Sequence, residues 1–417
     1  MGIFELIAVV LLLASFFGIA QHKLAPSIPH AIGIMILALI SSVSIIIIDI
    51  IIPYLDLKIT ISDLIHDIQF EKFLLEGILG LLLFAGALHV KLEYLKKHYA
   101  IILIMASIGT AISTLIIGFG FNALSGSGLL IALTLGVILS PTDPVVVMGV
   151  LNRSKISESV KGKIAGESLA NDAFSFVGFI ILSSLAFPIT QTDGGNSNFL
   201  LSDIIKLFTI EVFGGIFLGF SLGLIVLKIN KGIDDYSLEL LLTITLAFSG
   251  YTLAHWLHFS APITAIVSGL LVGHHSFKDN QVLSEQSQLM INNFWTLIDE
   301  ILNIILFLIL GVELLTIQFN QEIIILSIIM IVVSIIARLF AVYIPLLTLR
   351  PFIKYTKDVG LLMWVGGVKG GLSLALVLLL PESDIKNTLI CVTYISVVFS
   401  ILFQGLSVGK VASLLSK

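Results

Sequence analysis

Stretches of about 20 apolar residues, separated by short polar turns, repeat along almost the whole chain. Crossing a hydrocarbon core about 30 Å thick takes about 20 helical residues. Segments of that kind fall near 3–20, 29–52, 73–90, 99–121, 128–151, 163–187, 203–228, 236–257, 261–275, 294–316, 321–348, 358–380 and 385–409. The pattern predicts thirteen transmembrane helices, with the two ends of the chain on opposite sides. The ninth is short, and its separation from the eighth rests on His255, Trp256, His258 and Pro262. The first segment follows no basic stretch and meets no small-residue cleavage site before Gln21-His22-Lys23, so it is expected to be retained. No soluble domain or long tail is expected. The longest polar connections are 53–72, with Asp56, Asp63, Asp67 and Glu71, and 274–293.

Composition sharpens this into a class. With 57% hydrophobic residues, 12% charged residues and a mean hydropathy of +1.11, the chain is an all-α polytopic membrane protein. The net charge of −5 matters less than where the 22 basic residues fall. Sixteen lie in loops of one side: Lys23; Lys91, Lys96 and Lys97; Arg153, Lys155, Lys161 and Lys163; Lys228 and Lys231; Lys278; Arg350, Lys354 and Lys357; Lys410 and Lys417. Four, Lys58, Lys72, Lys206 and Lys386, lie on the other. Basic loops stay in the cytoplasm, so the N-terminus is expected outside and the C-terminus inside. No basic tract suggests a nucleic-acid partner. The single cysteine, Cys391, cannot form an internal disulfide and reads as a packing residue.

Chemistry concentrates at three places. The fifth segment contains Ser140-Pro141-Thr142-Asp143-Pro144, whose two prolines remove backbone donors and break the helix at mid-membrane. Asp143 before Pro144 is a good cap for a second half-helix. Capping alone would account for it; alternatively, freed carbonyls such as that of Thr142 are also available to a cation. The twelfth segment contains Gly366-Gly367-Val368-Lys369-Gly370-Gly371, a second expected break around a buried cation. Close packing would explain the glycines but not the lysine. Lys369 would offset the carbonyl ends of half-helices as Asp143 offsets the amide ends. Breaks in oppositely directed segments five and twelve predict inverted repeats with two crossed broken helices.

The sixth segment carries Glu167-Ser168-Leu169-Ala170-Asn171-Asp172. Ser168 and Asp172 share one helical face, and Glu167 and Asn171 the adjacent one. An acid at that depth is costly unless paired, protonated or bound to a cation. Arg338 is the arginine that falls within a span, so a Glu167–Arg338 ion pair is expected, leaving Asp172 as the titrating group; its blander alternative is a satisfied polar residue of the bundle.

In this order and spacing, the Ser140–Pro144 stretch, the Glu167–Asp172 stretch, the Arg338 helix and Gly366-Gly367-x-Lys369-Gly370-Gly371-x-Ser373-Leu374-Ala375-Leu376 resemble the NhaP-type sodium/proton antiporters over nearly the whole chain. The resemblance implies a homodimer. Its core domain would lie at about 99–187 and 321–409 and move against a dimerisation domain at about 1–98 and 203–316. It also implies that Asp172, Ser168 and the Thr142 carbonyl bind the ion, with Asp143 beside them, and that Asn171 marks the electroneutral branch. Two departures stand out. Lys369 replaces a common arginine, keeping charge but losing the guanidinium fork. Ala85 stands where some relatives carry a glutamate that helps hold the ion, and Glu76 is off that position, near the outer interface.

The expected function is therefore exchange of Na⁺ (or Li⁺) for H⁺, one for one and without net charge movement, by alternating access with both ions competing for Asp172. No resident cofactor is implied; the partners are the two ions and membrane lipid, and the resemblance and the charge bias together suggest the bacterial inner membrane. A K⁺/H⁺ or broad monovalent-cation exchanger is the alternative. An intramembrane aspartyl hydrolase using Asp143 and Asp172 is a third, disfavoured by the absence of a Gly-x-Gly-Asp setting. His89, His274 and His275 near helix ends read as interface anchors rather than pH sensors.

Overall fold

The computed structural model describes residues 3–26, 28–52, 78–90, 99–151, 154, 156–187, 201–233, 235–278, 285–349 and 357–415. Helix is the regular structure of those residues, with no strand among them. In chain order the helices are α1 (Ile3–Leu24), α2 (His30–Ile51), α3 (Leu79–His89), α4 (Tyr99–Ser125), α5 (Leu129–Ile138), α6 (Pro144–Leu151), α7 (Glu158–Ala186) and α8 (Leu201–Asn230). They continue as α9 (Tyr236–Trp256), α10 (Ala261–Lys278), α11 (Glu285–Val312), α12 (Gln321–Leu349), α13 (Lys357–Val365), α14 (Gly371–Leu378) and α15 (Lys386–Leu415). Among the described residues, seven helices are by themselves long and apolar enough to cross a membrane: α2, α4, α7, α8, α9, α12 and α15. The division between α9 and α10 is a tight turn in which His258 takes the left-handed conformation at φ 55°.

Two sets of helices pack chiefly among themselves. In one, α4 lies against α5 and α12, α7 against α5, and α15 against α12 and α14; in the other, α10 joins α3, α8 and α9, while α11 joins α1, α2 and α3. Lipid tails give little hydrophobic drive for helices to associate, so close backbone approach at small residues has to supply it. A side chain at Gly136 would strike the Thr114 carbonyl, tying α5 to α4. One at Gly273 would strike the Leu88 carbonyl, tying α10 to α3.

Helix bounds differ from hydropathy in three places. α7 begins at Glu158 rather than near 163, α11 at Glu285 rather than near 294, and α15 runs on to Leu415. Polar residues lower hydropathy without breaking helix; glycine and proline break it. Lys161 and Lys163 are accordingly not loop residues but buried helical ones, and Lys161 pairs with Glu158 at 2.9 Å. Likewise, the connection expected over 274–293 is helical from 285 onward. The acidic residues of 53–72, together with Glu76, Lys58, Lys72, Lys91, Lys96, Lys97, Arg153, Lys155, Arg350, Lys354, Lys417 and the side chain of His275, lie outside the described residues.

Candidate functional site

Helix stops at Ile138 and resumes at Pro144, and stops again at Val365 and resumes at Gly371. The two gaps touch: the Asp143 amide donates to the Val368 carbonyl at 2.6 Å. Each gap is held open by side chains that satisfy the backbone that the missing helix would have paired. Ser140 Oγ donates to the Gly136 carbonyl at 2.8 Å, and Asp143 Oδ1 accepts from the Val145 amide at 2.7 Å, capping α6. The Lys369 ammonium donates to the Leu139 carbonyl at the C-terminal end of α5. Its own amide donates to Ser400 Oγ at 2.9 Å, in a π-turn of α15 over Ser400–Gly405.

The glycines around Lys369 have separate reasons. A Cβ at Gly370 would overlap the Asp143 carboxylate, one at Gly367 the Arg338 side chain, and one at Gly371 Leu306 of α11. The motif is thus a cast of its neighbours. Substituting any of these three glycines asks a buried group to move.

From α7, Glu167 receives both arms of the Arg338 guanidinium, Nη1 to Oε1 at 2.8 Å and Nη2 to Oε2 at 2.9 Å. Nη2 also donates to the Met363 carbonyl in α13 at 3.0 Å. One turn on, Asn171 Nδ2 reaches Glu167 Oε1 at 3.1 Å and Thr142 Oγ1 at 2.9 Å, while Asn171 Oδ1 accepts from the Thr142 amide at 3.3 Å. Ser168 lies 3.1 Å from Thr142 Oγ1 and its hydroxyl donates to the Thr142 carbonyl. The charge pair therefore orients Asn171, and Asn171 fixes the peptide of Thr142. Glu167, Ser168, Asn171 and Thr142 are all buried.

Asp172 differs from this clamp. It is half-buried, and no described side chain donates a hydrogen bond to it. Asp172 lines a cavity of about 700 Å³ together with Thr142, Asp143, Gly370 and Ser373. The same wall continues along α7 through Leu169, Ala165, Gly162 and Lys161 to Glu158, about 20 Å at 1.5 Å per residue. The end of α3 and α11 line it as well, through Leu82, Leu83, Gly86 and His89 and through Thr296, Asp299, Glu300, Asn303 and Leu306. His89 is fixed there by its ring nitrogens, Nδ1 to the Ala85 carbonyl at 2.7 Å and Nε2 to Thr296 Oγ1 at 2.9 Å. Ala85 itself is fully buried and off the cavity wall.

Of the residues expected from sequence, Thr142, Glu167, Ser168, Asn171 and Arg338 form one hydrogen-bonded network, Asp143 and Lys369 bond backbone groups in the adjoining gaps, and Asp172 lines the cavity beside them. Four polar cavity residues of α11 have no counterpart in that expectation: Thr296, Asp299, Glu300 and Asn303. Their signal was present. Asp299 and Asn303 repeat within an apolar run the acid-and-amide spacing of Glu167 and Asn171.

Interrupted helices meeting inside an apolar bundle, with a carboxylate open to a cavity and its neighbours tied down, define a polytopic helical membrane transporter. The chain belongs to the transmembrane sodium/hydrogen exchanger family, whose pattern covers residues 7–414. It is 35% identical over 397 residues to the Na(+)/H(+) antiporter NhaP of Pseudomonas aeruginosa, covering 92% of this chain and 90% of that protein. Identity is 32% over 365 residues to the Na(+)/H(+) antiporter NhaG of Bacillus atrophaeus, covering 84% of this chain and 67% of the relative. The fold matches the sodium proton antiporter MjNhaP1 of Methanocaldococcus jannaschii at pH 8 with a TM-score of 0.78 at 21% identity, over 100% of both chains. These relatives are transporters, and membership of their family sets the hydrolase alternative aside.

Proposed function

We propose that this protein exchanges Na⁺ (or Li⁺) for H⁺ by alternating access, with the two ions competing for Asp172. The observation that carries the reading is the contrast between Asp172, half-buried on a cavity without a donor, and its hydrogen-bonded neighbours. An ionised acid left without donors in a membrane interior is stabilised by a cation or a proton. Ser168 Oγ, the Thr142 carbonyl and the Asp172 carboxylate supply the hard oxygen ligands that suit an alkali ion. The Ser168 hydroxyl has a second acceptor in Thr142 Oγ1, so it can turn its proton aside and present oxygen to the ion. Asp143 caps α6 and adds negative charge beside the site.

Only the neutralised forms of Asp172 let the site pass an apolar barrier, which couples the two fluxes. Asn171 holds Thr142 and carries no titrating group, so one Na⁺ exchanges for one H⁺ and no net charge moves. Within this reading the chain has thirteen spans in inverted repeats, and the gaps at 139–143 and 366–370 belong to crossed broken helices. A core of about 99–187 and 321–409 moves against a dimerisation domain of about 1–98 and 203–316. The N-terminus is outside, the C-terminus is cytoplasmic, and the protein works as a homodimer in the bacterial inner membrane.

The test is Na⁺-driven pH change in proteoliposomes. Wild type exchanges, and Asp172→Asn, correctly assembled, does not; exchange retained by D172N rejects the assignment. Running Na⁺, Li⁺ and K⁺ separately decides between this reading and a K⁺ or broad exchanger. A rate that depends strongly on imposed membrane potential rejects the electroneutral stoichiometry.

A further inference from the structure

The proposed function uses only part of the cavity lining. Thr296, Asp299, Glu300 and Asn303 sit at i, i+3, i+4 and i+7 on α11, which puts them on one helical face, and all four line the same cavity as Asp172. Asp299 is half-buried, and its charge is close enough to act on that of Asp143 across the cavity. Asn303 is 5% exposed; its Nδ2 donates to the Asp299 carbonyl at 2.8 Å, and no described donor reaches its Oδ1. The Asn303 side chain also hydrogen-bonds the Asp299 carboxylate, so a buried amide oxygen and a carboxylate, neither capping a helix nor ion-paired within the described residues, are held together as two acceptors without a cation.

Depth along the helix gives the order of encounter. Leu306, which packs at Gly371 beside the second gap, is seven residues beyond Asp299, or roughly 10 Å at 1.5 Å per residue. Thr296, three residues before Asp299, is level with His89 at the end of α3. Asp299 therefore lies between the level of His89 and that of the gaps. Resting on the proposed function, we infer that Asp299 and Asn303 form a first cation-binding step in the cavity that Asp172 also lines, where an entering alkali ion exchanges part of its water before it moves to that carboxylate. The ion would pass from one set of helices to the other.

An acid that attracts the ion but is not the exchanging group sets apparent affinity rather than turnover. In proteoliposomes, Asp299→Asn is expected to raise the KM for Na⁺ about tenfold and to leave kcat within about twofold, while Asp299→Glu restores the KM. An unchanged KM in D299N, or a fall in kcat alone, overturns the inference. Wild type that fails to exchange Na⁺ for H⁺ overturns the proposed function instead, and the two failures are thereby separated. Should D299N not assemble, Asp299→Cys purified first and then labelled makes the same comparison, because Cys391 is buried. A sulfonate label is expected to keep the KM low and a trimethylammonium label to raise it; equal KM values overturn the inference.

Discussion

Glu167 and Arg338 are 171 positions apart in sequence and carry two bonds between them, so their coupling can be worked out from the structure. Both are buried, and removal of either partner leaves the other charged and unmatched. Breaking such a pair costs about 3–5 kcal/mol. Arg338→Ala also frees the Met363 carbonyl, adding about 1–3 kcal/mol if it stays dry. Glu167→Ala also frees the Asn171 amide. Each single variant is thus expected to lose about 3–5 kcal/mol or more against unfolding. The double variant Glu167→Ala with Arg338→Ala removes both charges together. It is expected to lose less than the sum of the singles by at least about 2 kcal/mol, beyond the additivity of independent sites. The assay is reversible unfolding of purified protein in mixed micelles, followed by tryptophan fluorescence, for the singles, the double and wild type. Additive losses would refute the reasoning, because they would mean that the two side chains do not depend on each other. Arg338→Lys separates charge from geometry: it keeps the cation, loses the fork, and is expected to fall between wild type and Arg338→Ala.

Two further expectations follow from the gaps. Gly370→Ala places a methyl on the Asp143 carboxylate, and overpacking of this kind costs about 1–3 kcal/mol; Na⁺ affinity in proteoliposomes is expected to fall at near-normal expression, and unchanged affinity would show that Asp143 moves freely. Lys369→Met removes the donor to the Leu139 carbonyl and is expected to cost about 1–3 kcal/mol in the same unfolding assay, with Lys369→Arg, which keeps a donor for that carbonyl, recovering part of it.

How much of this was legible depends on which physical rule each feature obeys. The gap at 139–143 follows from local covalent chemistry, since Pro141 and Pro144 cannot donate and constrain their predecessors. The Glu167–Arg338 pair follows from scarcity: an acid in an apolar span needs a partner, and few basic residues lie within spans. By contrast, the start of α7 at Glu158 and of α11 at Glu285 was hidden, because hydropathy measures transfer to lipid while helix extends through polar residues. The function of each glycine near Lys369 was also hidden. Gly367 and Gly370 answer to Arg338 and Asp143, which are distant in sequence, and a glycine motif carries no record of what fills the space its missing side chain leaves.

Asp299 exposes a limit of a different kind. Its sequence signal, an acid four residues before an amide in an apolar run, equals that of Glu167 and Asn171, yet the two pairs do opposite things. Glu167 is consumed by Arg338 and serves to orient Asn171 and Thr142. Asp299 faces the cavity on a helix from the other packing set. Spacing alone reports that two polar groups share a helical face; whether that face meets an arginine or a cavity is decided by the neighbouring helices. The division matters to the proposed mechanism. A carboxylate clamped by arginine has no free charge to offer an ion, so rigidity in the Glu167 network and openness at Asp172 and Asp299 are complementary requirements: the first keeps the Thr142 carbonyl aimed, and the second leaves charge for the cation to neutralise.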